Sequence, residues 1–223
     1  QRSTTQRLHK MTIKTLGRYV SLFLNLYSIS STKLERKNSG NLIEAVMLPS
    51  GEDLNEWLAL NTVDFFNEMS LLYGVVADSA AEKFRGPGEG FPDGFEYRWA
   101  DTEHKRPIRC SASDYVEYVM TWVEGMLQNE RIFPSRESEP FPSNFVGHVQ
   151  TIFKRLFRVF AIMYTNHVKE MKEMEADKHL NTCFKHFIYF ASEFRLVKSV
   201  EFDALREPTA QFQNEWKKSK RSS

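Results

Sequence analysis

Three cations crowd one short apolar segment, FKRLFRVF at residues 153–160: Lys154, Arg155 and Arg158. The large apolar residues of this segment recur at the i, i+3, i+4, i+7 spacing of a buried helical stripe, which places the cations on the flank of a core helix. The stripe consists of Phe153, Leu156, Phe157 and Phe160. Arginine presents a planar fork to phosphate oxygens, and a phosphorylated serine or threonine carries nearly two negative charges. The spacing by itself therefore favours a solvated basic face, and a site for the phosphate of a phosphorylated Ser or Thr is the second interpretation.

A second group of side chains has the opposite sign. Its members, which accompany Trp57 along one predicted helix, are Glu52, Asp53, Glu56 and Asp64. Asp53, Trp57 and Asp64 can lie along one edge of that helix. This pattern permits three interpretations: acid–base catalysis by paired carboxylates, helix-start electrostatics on a solvated face, and a docking strip anchored by an exposed indole. The interpretation of both charged groups as binding surfaces for other proteins has two requirements. The indole must not be sealed in the core, and the protein's own carboxylates must not neutralise the guanidinium groups of the basic helix.

No set of residues assembles a catalytic or metal centre in the sequence. The six histidines are scattered without an HExxH motif, and there is no GxSxG motif. A net charge of +1 and the lack of an extended basic surface argue against a nucleic-acid partner. Cys110 and Cys183 form no CxxC pair, which predicts two reduced thiols in a cytosolic protein. No apolar run reaches the roughly 20 residues of a transmembrane segment.

The elements that position both charged groups are predicted to be helices. Ser50 is the expected N-cap of the acidic helix, with Asp53 in the capping-box position. Further helices are predicted over residues 111–130, 143–175 and 177–194, and one or two short ones from residue 199 onward. Five or more helices without paired strands predict an all-α bundle.

Composition also divides the chain into regions. Residues 1–40 are read as a basic, partly flexible N-terminal arm, residues 41–207 as a helical domain, and residues 208–223 as a basic C-terminal tail. The segment FRGPGEGFPDGFEYRW holds four glycines and two prolines. Turn chemistry of this kind predicts an irregular loop or hairpin near residues 79–98.

A resemblance to a known family extends over most of the chain. Between about residues 40 and 205 the sequence contains GNLIEAVMLPSGEDLNEWLALNTVDFFNEMSLLYG, FEYRWAD, RPIRCSASDYVEYVMTWVEGML, IFPS with PFPSNF, TIFKRLFRVFAIMY and HLNTCFKHFIYFASEF. Together these segments resemble the Mob family, close to its Mob-one branch, whose members bind and activate NDR/LATS-type protein kinases. The resemblance implies a fold around a four-helix bundle with extra helices, and an adaptor without catalytic activity.

The resemblance also implies roles for particular residues. A phosphorylated Ser/Thr peptide of an upstream Ste-type kinase or a scaffold would bind Lys154, Arg155 and Arg158. The basic N-terminal segment of the kinase would bind an acidic face. That face maps onto Glu52, Glu56, Trp57 and Asp64, supported by Leu42, Met69, Leu72 and His186.

One departure from the family concerns a metal. Mob-one proteins usually hold a structural zinc ion with two cysteines and two histidines, and those positions fall here on Ala80, Arg85, Ile162 and His167. One imidazole cannot complete a tetrahedral zinc site. We therefore predict that this protein has no zinc and no other cofactor, and that apolar packing, including Ile162, replaces the tether.

Two functional hypotheses lead. The first is a phosphopeptide-responsive kinase coactivator in the cytoplasm, with the nucleus and cell-division structures as further locations and cytokinesis, mitotic exit or Hippo-like growth control as processes that the resemblance implies. The second is a structural scaffold that keeps the fold without activating a kinase. An enzyme that uses the carboxylates ranks below both, because no convergent acid, base and nucleophile are visible.

Overall fold

Helical periodicity in the sequence is realised as an all-helical structure. The computed structural model describes residues 42–136 and 138–222, and within them eight α-helices and one 3-10 helix form. The elements are α1 (Leu42–Val46), α2 (Leu54–Gly74), α3 (Ala77–Lys83), α4 (Ala112–Leu127), α5 (Phe145–Asn166), α6 (Val168–Glu173), α7 (Asp177–Glu193), the 3-10 helix (Ser199–Leu205) and α8 (Arg206–Ser222). The predicted all-α class is confirmed. A four-helix bundle at its centre stays a prediction, and the N-terminal arm, residues 1–40, lies outside the described residues.

Polar side chains fix where two of the long helices begin. Asp53 is the N-cap of α2, because its side chain accepts hydrogen bonds from the backbone N–H groups of Asn55 and Glu56. The prediction of Ser50 as N-cap is therefore wrong, and the helix starts three residues later. Ser111 caps α4 in a reciprocal capping box with Asp114.

The helix that carries the cations is shorter than predicted. Its N-cap position is Asn144, one residue after the predicted Ser143, and the helix ends at Asn166 instead of near residue 175. His167 adopts φ −125° and ψ 3°, outside the helical region, so the chain turns there into the short helix α6. The turn changes the direction of the chain before α7 begins.

The glycine-rich region is irregular over most of its predicted length. Its first part differs from the prediction, because residues 79–83 belong to α3, where the alanine-rich sequence ADSAAEK favours a helix. Within residues 42–136 and 138–222, extended pairing amounts to one isolated antiparallel bridge between Trp99 and Ile108. The bridge brings Trp99 and the following residue, Ala100, towards α5.

Aromatic side chains fill the core where α2, α5 and α7 pack together. Phe153 of α5 stacks on Phe187 of α7 with 5.0 Å between ring centroids, and meets Phe65 of α2 edge-on at 5.6 Å. All four apolar residues of the FKRLFRVF stripe are buried, as predicted. This packing fixes the rotation of α5 about its axis, and hence the direction of each cation on its flank. Cys110 and Cys183 are also buried, and neither forms a disulfide.

The C-terminal helix closes the structure. Residues 208–222 of the predicted basic tail belong to α8, which packs on α7 and the 3-10 helix. Ion pairs join α7 to α8, from Lys185 to Glu215 at 2.9 Å and from Glu193 to Lys220 at 2.7 Å. Across residues 42–136 and 138–222, no helix has the length and apolar character that crossing a membrane requires.

Candidate functional site

The three cations of α5 have different surroundings, although they stand within one turn or so of each other. Arg155 points towards the bridge region and α4, whereas Lys154 and Arg158 face the segment that follows α7. The sequence-based prediction treats them as one receptor. The structure separates Arg155, which is half-buried and directed towards α4, from Lys154 and Arg158, which lie on the side of a cavity.

Arg155 is held between two indole rings. Its guanidinium carbon lies 4.2 Å from the ring centroid of Trp99 and 4.0 Å from that of Trp122. Nη2 donates a hydrogen bond of 2.8 Å to the carbonyl oxygen of Ala100. Burial lowers the pKa of Arg155, and the side chain forms no ion pair with a carboxylate among residues 42–136 and 138–222. Arg155 therefore joins α5 to α4 and to the bridge region by cation–π contacts.

Arg158 is engaged by a carboxylate of the protein itself. Its Nη2 donates to both carboxylate oxygens of Glu201, at 2.8 and 3.1 Å, and its Nε donates to Oε2 at 3.1 Å. Nη1 donates to the hydroxyl oxygen of Tyr115 at 3.3 Å. The requirement that the guanidinium groups lack an internal counter-ion is therefore not met at Arg158. The 3-10 helix causes this, because it packs on α5 and places Glu201 against the cation.

Lys154 is half-buried at the rim of a cavity. Burial lowers the pKa of Lys154, and the adjacent positive charge of Arg158 lowers it further. The ammonium group forms no ion pair among the residues that the structure describes. A cation that is partly desolvated beside another cation gains more from an incoming anion than a fully hydrated one does.

The cavity lies between α5 and the segment from residue 195 to residue 201, with a volume of about 270 Å³. Its lining residues are Gly147, Gln150, Thr151, Lys154, Arg195, Leu196, Lys198 and Glu201. Sequence analysis missed Arg195, Lys198 and Glu201 as residues of this site. The contact that places their segment is apolar, since Phe202 meets the ring of Phe157 edge-on at 5.1 Å. From this apolar residue, Phe202, the sequence could have predicted that the segment packs on the core.

The acidic face of α2 is partly as predicted. Glu56 and Asp64 of α2 are half-buried, and so is Glu52, which precedes the N-cap of this helix. The prediction of an exposed indole anchor is wrong, because Trp57 is only 6% exposed. Its Nε1–H donates to the carbonyl oxygen of Val46 at 3.4 Å, so the end of α1 covers the ring.

Since Arg158 is also paired with Glu201, both requirements for binding through the two charged groups fail as they were stated from the sequence. A partner on the acidic face of α2 would meet the carboxylates and not the indole.

Four further residues predicted to support this face are buried beneath it. Leu42, Met69, Leu72 and His186 each expose less than a tenth of their surface. His186 of α7 packs on the ring of Phe65 with 4.7 Å between centroids. These residues hold α1, α2 and α7 together. They can therefore affect the binding of a partner only through the shape of the surface above them.

Sequence analysis missed two residues of the outer side of α2. Glu68 and Leu71 follow Asp64 at steps of four and seven, which places all three on one side of the helix. Leu71 is 52% exposed and so places an apolar surface beside these carboxylates. Glu68 accepts a hydrogen bond from Sγ of Cys183 in α7. The name acidic face is used below for Glu52, Glu56, Asp64 and Glu68, with Leu71 at its end.

The residues at the four degenerate zinc positions do not fit a zinc ion. Ala80 and Ile162 are buried apolar side chains without donor atoms, and the Nε of Arg85 donates to the carbonyl oxygen of Glu82. His167 alone carries a ligand atom, and its Nδ1 lies 3.3 Å from Oε2 of Glu170. Within the described parts of the chain, no three His, Cys, Asp or Glu side chains group to hold a metal ion. The absence of zinc from the protein stays a prediction.

A hydrogen-bonded link spans the place where a metal tether would act. Ser79 of α3 donates to Oε1 of Glu170 at 2.6 Å, while Oε2 of the same carboxylate faces the imidazole of His167. The ring of Phe84 packs edge-on against this imidazole at 6.1 Å. The link therefore fastens α3 to the turn between α5 and α6 without a metal.

Acidification is expected to weaken the fold through His167. Burial lowers the pKa of this imidazole below its ordinary 6.5, and the Glu170 hydrogen bond offsets only part of that effect. The unfolded chain therefore takes up a proton near pH 6.5 while the folded chain does not, so stability is retained above about pH 6.5 and falls below it.

Thermal unfolding at about pH 7.5 and about pH 5.5 measures this loss of stability. The loss of midpoint temperature should be smaller in His167→Gln than in wild type or the exposed-site control His179→Gln; equal losses in all three contradict the assignment.

Comparison with known proteins gives consistent matches over the region that carries both charged groups. The sequence pattern of the Mob1/phocein family matches residues 34–205. "MOB kinase activator-like 1A" of Arabidopsis thaliana is 51% identical over 175 residues, covering 76% of this chain and 79% of the relative. "MOB kinase activator-like 1 homolog B" of Dictyostelium discoideum is 51% identical over 170 residues, covering 76% and 78%. "MOB kinase activator-like 1A" of Medicago sativa subsp. falcata is 49% identical over 170 residues, covering 76% and 79%.

Proposed function

Because this chain belongs to the Mob1/phocein family, we propose that it activates an NDR/LATS-type Ser/Thr protein kinase by binding it. The protein itself is a non-catalytic adaptor. The observation that carries the proposal is the packing of α2 directly on α5, which holds an acidic face and a basic cavity on one rigid core. The acidic face suits a basic chain segment, and the basic cavity suits an acidic or phosphorylated one. Neither surface presents a convergent set of catalytic groups.

The acidic face is proposed to bind the basic N-terminal segment of the kinase. Carboxylates attract a cationic segment over several ångströms, and Leu71 offers an apolar contact at the end of the face. The buried Trp57, Leu42, Met69, Leu72 and His186 shape this surface from below. Binding through charges at the rim of an interface predicts an affinity that falls as salt rises.

Replacement of Asp64 by alanine is expected to weaken binding of a basic kinase segment roughly fivefold, by removing one partner of a partly exposed charge pair. Isothermal titration with a synthetic segment measures this at low and at physiological salt. The matched control is Glu130→Ala, an exposed carboxylate after α4. Equal affinities for wild type, Asp64→Ala and Glu130→Ala would exclude Asp64 from the kinase-binding surface.

The basic cavity is proposed to bind a phosphorylated Ser/Thr peptide. Lys154 and Arg158 are the proposed phosphate contacts, and Arg155 supports them from its place between the two indoles. The incoming phosphate takes the place of Glu201 on the guanidinium of Arg158. A phosphate with nearly two charges competes well with a single carboxylate for this fork. The peptide comes from an upstream kinase or a scaffold.

A scaffold without kinase activation is the second candidate. Two observations favour it: the indole proposed as an anchor is buried, and Arg158 already has a counter-ion in Glu201. The scaffold predicts either no binding of the kinase segment, with no effect of Asp64→Ala, or binding that leaves the phosphorylation rate of the kinase unchanged. The coactivator predicts that binding raises this rate.

A further inference from the structure

The cavity beside α5 carries more positive charge than a phosphate contact at Lys154 and Arg158 requires. Arg195 and Lys198 also line it, on the wall opposite α5. With Lys154 they supply three cations against the single carboxylate of Glu201, a net charge of +2 on the lining. No established role accounts for Arg195 and Lys198, which come from the segment after α7 and not from the cationic helix.

Arg195 occupies a backbone conformation that ordinarily belongs to glycine. Its φ is +52°, and it follows the C-cap residue Phe194 of α7. The N–H of Leu196 donates to the carbonyl oxygen of Ala191 at 2.9 Å, the six-to-one bond of a helix end that favours glycine at this position. Gln150 of α5 fixes the same residue from the other wall, by donating from Nε2 to the carbonyl oxygen of Arg195 at 3.3 Å. The chain thus holds a large cation at the cavity where a glycine would be less strained.

The dimensions of the site indicate which residue of a bound phosphopeptide would reach Arg195 and Lys198. On α5, Lys154 and Gln150 precede Arg158 by one and two turns, about 6 and 12 Å along the helix axis. An extended peptide advances about 3.3 Å per residue. A group that sits in the cavity therefore lies roughly two to four residues from the phosphorylated residue at Arg158.

We propose that this cavity is a subsite for an acidic side chain of the same phosphopeptide. Arg195 and Lys198 bind the carboxylate of an Asp or Glu two to four residues from the phosphorylated residue, while Lys154 remains a contact of the phosphate. The net positive charge of the lining attracts such a carboxylate. The subsite rests on the proposed phosphopeptide function and adds its sequence preference, so that acidic phosphopeptides are selected over neutral ones.

Fluorescence polarisation with labelled phosphothreonine peptides tests the subsite. Peptides in a neutral background carry either Glu or Gln at one position, up to four residues before or after the phosphothreonine. With the wild-type chain we expect Glu to bind roughly fivefold more tightly than Gln at one such position, as one additional partly exposed charge contact allows. Unphosphorylated versions of both peptides form the reference.

Two variants identify the residues responsible. Arg195→Gly removes the cation and suits the left-handed backbone, so its unfolding temperature should be equal to or above that of wild type while its preference for Glu is reduced. Lys198→Gln should reduce the preference as well. The control is Lys172→Gln, an exposed lysine of α6, which should keep it.

The outcomes distinguish the subsite from the function on which it rests. Phosphate-dependent binding without any preference for Glu, or with a preference that both variants retain, overturns the subsite and leaves the phosphopeptide function in place. Equal binding of phosphorylated and unphosphorylated peptides overturns both. A preference for Glu that Arg195→Gly and Lys198→Gln reduce, and Lys172→Gln does not, establishes the subsite.

Discussion

Replacement of Glu201 by glutamine should tighten the binding of a phosphothreonine peptide roughly tenfold, because a charge-assisted competitor for Arg158 is removed. This carboxylate holds the guanidinium through three hydrogen bonds of 2.8 to 3.1 Å. Glutamine retains the shape and one acceptor oxygen but not the charge. Fluorescence polarisation with a labelled phosphopeptide gives the dissociation constants.

Two further variants make this experiment decisive. Arg158→Gln should weaken the same peptide roughly 10- to 100-fold, the range for loss of hydrogen bonds to a charged group. Glu207→Gln changes an exposed carboxylate in the first turn of α8 and should leave the affinity unchanged. Unchanged or weaker binding in Glu201→Gln would show that the carboxylate does not compete with the phosphate.

Replacement of Arg155 by methionine should lower the free energy of unfolding by about 2 kcal/mol, from two lost cation–π contacts and one lost charge-assisted hydrogen bond. Methionine keeps much of the apolar volume between Trp99 and Trp122 but not the charge. Urea denaturation followed by tryptophan fluorescence measures the change. The matched control is Arg131→Met, an exposed arginine after α4, for which we expect little effect.

The stability of Arg155→Met also decides which variants can be used to test the phosphate site. If Arg155→Met is as stable as Arg131→Met, the two indoles do not hold the guanidinium, and Arg155 returns to the group of direct phosphate contacts. If it is destabilised as expected, a variant that removes all three cations of α5 mixes a folding defect with a binding defect. Binding tests should then change Lys154 and Arg158 alone.

The sequence was sufficient to predict features that depend on local spacing. The stripe of Phe153, Leu156, Phe157 and Phe160 repeats with the period of a helix, and all four residues are buried. The same period located α2, α4, α5 and α7 to within a few residues, apart from the C-terminal end of α5. That end depends on the backbone of His167, which no local pattern marked.

The parts of the site that the sequence did not predict depend on distant residues. Arg158 meets Glu201 43 positions later in the chain, and Arg155 meets Ala100 55 positions earlier. Helical periodicity places a side chain on a flank but does not say which segment packs there. The buried Trp57 has the same cause, since its covering residue, Val46, belongs to α1, a helix that the sequence pattern did not separate from its surroundings.

The initial phosphorylation rate of an NDR/LATS-type kinase on a peptide substrate, titrated with this protein, tests the coactivator function most directly. We expect the rate to rise and saturate near one equivalent of the wild-type chain, with a higher concentration of Asp64→Ala needed for the same rise. A kinase that binds the protein, as titration of its N-terminal segment would show, and yet phosphorylates its substrate at an unchanged rate would contradict activation and leave the scaffold function.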